Sequence, residues 1–141
     1  MDSRMKTLIA RNARKAAKAA CKARHIANPV GVQLKSPLSE RYTVILPDAS
    51  EPGYFRLQYF DASGFSGHST FNTSEQALHE ATVEGFTEDA PGALERLSTT
   101  ETWRLGVEAQ GYRDLYNAGK MSFEAMLKAI NALYESSQSA A

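Results

Sequence analysis

The side chains able to do chemistry in this 141-residue chain are few and scattered. His25, His68 and His79 fall in different predicted elements, and none belongs to a zinc-type spacing such as H-E-x-x-H. A single cysteine, Cys21, rules out a cysteine-rich metal site. Lys18, Lys22 and Arg24 surround it and would favour a thiolate, but its place in an Ala-rich helix reads as an inert small residue. Gly64, Gly67 and the later glycines have neither Walker nor dinucleotide spacing, with no Lys-Ser or Lys-Thr after them. Glu84, Glu88 and Asp89 read as a solvated acidic face near a helix end. The expectation is a protein that is not an enzyme, with no catalytic residues, no metal and no cofactor.

The distribution of charge is more informative. Sixteen basic and sixteen acidic residues cancel to zero. Up to Lys35, however, nine Lys or Arg stand against Asp2 alone, a net of +8, so the remainder carries −8. Such asymmetry points to nucleic acid, to an acidic partner, or to a basic segment folded back on its own acidic body. Arg4 to Ala27 lacks Gly and Pro and is rich in Ala, Lys and Arg, which predicts a helix stopped by Asn28, Pro29 and Gly31. On its wheel Arg4, Arg11, Arg14, Lys15, Lys18, Lys22 and His25 form a cationic stripe, opposite Ile9, Ala13, Ala16, Ala20 and Ala23. No run approaches a membrane span and no apolar signal segment follows the N-terminus, so the expected setting is cytoplasmic, with no membrane contact.

The elements that must position these residues follow from periodicity. Period-two runs predict strands over Arg41 to Leu46, Tyr54 to Phe60 and, more weakly, Ser66 to Phe71. Turn residues at Pro47 to Gly53 and Asp61 to Gly64 make them a three-stranded antiparallel meander. A helix capped by Thr73 and Gln76 places Leu78, Ala81, Gly85 and Phe86 on one side. A second, with a capping box at Ser98 and Glu101, buries Trp103, Val107, Leu115 and Tyr116 and ends at Gly119. The last starts at an N-cap Ser122 and repeats Phe123, Met126, Leu127, Ile130 and Tyr134 at helical spacing. The expected fold class is α+β: a three-stranded antiparallel sheet packed by C-terminal helices, with a basic N-terminal helix. The expected organisation is a basic extension and linker over 1–35, a body over 36–135 and a loose tail over 136–141.

Three strands leading into a capped helix, with Phe60-Asp61-Ala62-Ser63-Gly64 at the second turn and Thr70-Phe71-Asn72-Thr73-Ser74-Glu75-Gln76-Ala77 entering the helix, resemble the arm-type DNA-binding domains of phage tyrosine recombinases. The resemblance covers residues 41–86 and implies a sheet face in the major groove. It departs from that family at Phe65 to Ser69, where Lys or Arg would be usual. The expected function is therefore non-catalytic binding of DNA or a nucleoprotein complex. Arg11, Arg14, Lys15, Lys18 and Lys22 would take phosphates, and a sheet face with Arg56, Gln58, His68 and Thr70 would orient the partner, with Arg41 a further basic contact residue on the strands. The alternative is a small phage or plasmid protein, similar in size to anti-CRISPR inhibitors, that blocks a host defence complex by protein contact. A homo-oligomer joined by its basic helix is a third arrangement.

Overall fold

The structure, a computed structural model, describes residues 2–139. The chain divides into two compact units, residues 1–61 with 66–94 and residues 62–65 with 95–141. The fold is α+β, with an antiparallel sheet and helices.

The first unit begins with helix α1, Ser3–His25. Asp2 caps it by accepting the Met5 amide at 2.8 Å, satisfying one of the four amides that a helix start leaves unpaired. Strands β1 (Gln33–Lys35), β2 (Tyr42–Pro47), β3 (Phe55–Asp61) and β4 (Gly64–Phe71) follow, then helix α2 (Ser74–Val83) and the two-residue strand β5 (Glu88–Asp89). The sheet has five strands in the order β4-β3-β2-β1-β5, not the expected three. The meander stands as β2-β3-β4, and the two added strands are three and two residues long. Periodicity cannot register runs that short. They exist because β1 pairs with β2, and β5 with β1, once the chain has returned to the sheet edge. Glu88 and Asp89 give that edge the charge that discourages further strand addition.

Register divides the sheet residues into two faces. Tyr42 lies opposite Phe60, Val44 opposite Gln58, and Leu46 opposite Arg56, while Ile45 and Leu57 pair on the other side. The second face carries the core: Leu34, Ile45 and Leu57 join Cys21 of α1, Ala77, Leu78 and Ala81 of α2, and Phe86. Tyr42, Val44 and Phe60 are also buried, with the Tyr42 and Phe60 rings stacked at 5.2 Å, so apolar side chains are buried on both faces of the sheet.

Thr73 caps α2, accepting the Gln76 amide at 3.1 Å. The helix ends at Val83, before the expected Gly85 and Phe86. Gly85 (φ 97°) turns the chain, its amide bonding Thr82 and that of Phe86 bonding Ala81, a Schellman closure that directs the Phe86 ring back into the core.

The second unit holds most of helices α3 (Ala93–Leu97), α4 (Glu101–Asn117) and α5 (Phe123–Ser139). Thr100, not Ser98, caps α4 by accepting the Trp103 amide. Trp103, Leu105, Gly106 and Ala109 are its buried residues, whereas Val107, Leu115 and Tyr116, expected inside, are exposed. The reason lies at Gly106. A Cβ there would stand 1.9 Å from the Ser63 carbonyl oxygen, so α4 meets the turn between β3 and β4 along a line that only glycine permits. The Phe65 ring meets Trp103 edge-on at 5.1 Å beside it. Ser122 caps α5 through the Ala125 amide. That helix continues to Ser139, through the first residues of the expected tail; residues 140 and 141 lie outside the described residues. No helix among the described residues is long and apolar enough to cross a membrane.

Candidate functional site

The cations of α1 fall into two groups along the helix. From Lys18 onward they engage the first unit. Lys18 Nζ reaches the Val83 carbonyl at 3.5 Å, at the C-terminal end of α2 where the helix dipole attracts a cation, and Lys22 Nζ donates to His79 Nδ1 at 3.2 Å. Arg24 Nε pairs with Asp89 Oδ2 at 3.1 Å and its Nη2 reaches the Thr87 carbonyl, while His25 Nε2 bonds Asp89 Oδ1 at 2.6 Å. These partners hold the Asp89 carboxyl below its usual pKa, His25 foremost and Arg24 next.

Every residue from Asp2 to Ala17 is exposed. Arg4, Lys6, Arg11, Arg14 and Lys15 in this half make no ion pair among the described residues. Met5, Leu8 and Ile9 are 50%, 44% and 49% exposed on the same stretch.

The side of α1 that packs is not the apolar one. Lys18, Cys21, Lys22 and His25 are its buried or half-buried positions, on or beside the cationic stripe, whereas Ile9, Ala13, Ala16, Ala20 and Ala23 all face solvent. Ala has too few carbons to gain much by burial, while the Lys stems cover apolar surface and carry their charges to acceptors at its rim.

The sheet residues named as contacts fall on two faces. Arg56 and Gln58 lie on one face by register, and the bond from Gln58 Nε2 to the Gly67 carbonyl ties β4 beside them. Strand alternation places His68 and Thr70 on that same face, opposite Ser69 and Phe71. Arg41, by contrast, stacks its guanidinium 5.9 Å from the Tyr59 and Phe86 ring centres, on the face that α1 covers. Burial, with the short 2.6 Å bond to Glu84, pushes the Tyr59 hydroxyl up to about 12.

Arg56 is committed within the fold. Its Nη2 lies 2.9 Å from Asp48 Oδ1, with side chains only 17% and 4% exposed. The Glu51 amide first, and Arg56 after it, hold the Asp48 carboxyl below its ordinary pKa. The basic helix packs on one face of the sheet, and the Arg56, Gln58, His68 and Thr70 set occupies the other. The ten expected contact residues therefore do not form one surface.

Sequence reasoning missed one grouping. Cys21, His25 and Asp89 bring a thiol, an imidazole and a carboxylate together, with one candidate ligand atom from each within 4.8 Å of the others. The four-residue spacing of Cys21 and His25 on a predicted helix was the available signal; Asp89 is 64 residues further on and comes close only through β5. No family model matches the chain, and neither the curated proteins nor the solved structures provide a similar one.

Proposed function

We propose that this is a binding protein that engages nucleic acid, alone or in a nucleoprotein complex, through the N-terminal half of α1. The observation that carries the reading is the combination at Ser3–Ala17: exposure of every residue, with five cations that have no counter-charge among the described residues. Arg4, Arg11, Arg14 and Lys15 lie within one stripe about 100° wide, a shape that follows a phosphate backbone. Lys18 and Lys22 are engaged by α2, and Arg56 by Asp48, so these three contribute less than their sequence positions imply.

Fluorescence anisotropy with a labelled DNA duplex, read against salt, tests this. Five phosphate contacts give a slope of log K on log salt of about −4.5. Changing Arg4, Lys6, Arg11, Arg14 and Lys15 to Ala abolishes most of it. Salt-independent or absent binding by the unchanged protein overturns the reading.

The second reading, a partner protein such as a host defence complex, is favoured by Met5, Leu8 and Ile9. An apolar trio beside a cationic stripe suits a helix seated in an acidic-rimmed groove, and phosphate binding has no need of it. Loss of partner capture on changing these three to Ser, with DNA affinity unchanged, would separate the two.

A further inference from the structure

Cys21 and His25 are one turn apart on α1, and the pairing of β5 with β1 delivers Asp89 beside them. Both oxygens of Asp89 are held: Oδ2 by Arg24 Nε at 3.1 Å, and Oδ1 by His25 Nε2 at 2.6 Å and more loosely by Arg24 Nη2 at 3.4 Å. Cys21 is wholly buried, and its Sγ makes a long contact, 3.9 Å, with the Phe86 carbonyl. A cleft of about 320 Å³ lined by His25, Gly31, Val32, Asp89, Pro91 and Gly92 opens on the imidazole and the carboxylate.

We propose that Cys21, His25 and Asp89 bind a zinc ion that clamps α1 to β5, with a water from the cleft as fourth ligand. Thiolate, imidazole and carboxylate are the donors zinc takes, and the Cys-His spacing aims two of them to one side of a helix. Tetrahedral zinc, with bonds of about 2.3 Å to sulfur and about 2.0 Å to nitrogen and oxygen, sets its ligand atoms roughly 3.3–3.6 Å apart. Within the observed 4.8 Å limit, the His25–Asp89 contact opens by less than about 1 Å and the sulfur closes by at most about 1.3 Å.

The ion takes the place of the hydrogen between His25 Nε2 and Asp89, leaving a neutral imidazole with its proton on Nδ1, and the Cys21 thiol releases its proton to solvent. Ligation requires the thiolate and the neutral imidazole, so zinc affinity falls as pH is lowered. Arg24, outside the donor set, grips the carboxylate through both oxygens and so positions it beside His25. The site is independent of nucleic-acid binding, which uses the other half of α1.

The test uses the full chain freed of metal with a chelator, then titrated with Zn²⁺ against a chromophoric chelator and, separately, with Co²⁺. One equivalent of zinc is expected, together with a near-ultraviolet thiolate-to-cobalt band. His25→Gln and Asp89→Asn each weaken zinc binding by more than about 100-fold, beyond the effect of losing an outer contact. His79→Ala leaves it unchanged. Cys21→Ser removes the cobalt band. Should that variant fail to fold, His25→Gln, with the thiol intact, decides. Absence of the thiolate band in the unchanged protein, or zinc affinity retained in His25→Gln, overturns the site.

Discussion

The two halves of α1 share a composition and differ in environment. Arg11, Arg14 and Lys15 belong to the same stripe as Lys18 and Lys22, yet the first three face solvent and the last two reach α2. What changes at Lys18 is the neighbour. From there the helix runs beside α2 and β5, which supply a helix C-terminus, an imidazole and a carboxylate. The cations of the N-terminal half have no such acceptor among the described residues. Positive charge on a helix therefore says little about its use until the acceptors within reach are counted.

The comparison is broken most strongly by removing the body's hold on the C-terminal half. Phe86→Ala empties a core position that touches both α1 and the sheet, and should cost about 3–5 kcal/mol by urea denaturation. Proline scanning sharpens it. Ala20→Pro, in the docked half, should lower global stability by about 3 kcal/mol or more. Ala10→Pro breaks an equally regular stretch, yet should reduce far-ultraviolet helicity with little change in Tm, because that half unfolds locally. Equal Tm losses from the two prolines would mean that the N-terminal half is packed as firmly as the other.

A smaller effect comes from Asp48, whose counterpart Arg56 is the most fully neutralised cation of the sheet. The folded-state pKa of Asp48 is depressed, so its contribution is present above the unfolded value of about 3.9 and is lost as pH falls through the folded value. Asp48→Asn should accordingly flatten the acid limb of stability below about pH 4 while lowering the neutral-pH plateau. The smallest effect on stability should come from changing Arg4, Lys6, Arg11, Arg14 and Lys15 together to Ala. Exposed and unpaired, they should leave unfolding free energy within about 0.5 kcal/mol while removing the salt-dependent binding. A large loss of stability in that variant would place those cations among the internal contacts.

Much of the fold was legible in the sequence where a pattern ran long enough. The central meander, the Thr73 cap, the Gly119 stop and the Ser122 cap come from local chemistry, and the structure has each of them. Strands β1 and β5 were not legible, because runs of three and two residues have no period. The buried side of α4 was misread because the constraint is a close approach at Gly106, which no spacing of apolar residues records.

Of the candidate site, the sequence by itself determined the inventory: a cationic stripe on one helix, an acidic remainder, and Arg56, Gln58, His68 and Thr70 at positions that strand alternation places on one face. Only the tertiary structure decided which charges stay free, that the Ala face of α1 points to solvent, and that Cys21, His25 and Asp89 meet. Residue type and spacing govern what a segment can form locally. Neutralisation, burial and ligand geometry depend on groups far apart along the chain, which come within a few ångströms only after the sheet edge and α2 have closed on the helix.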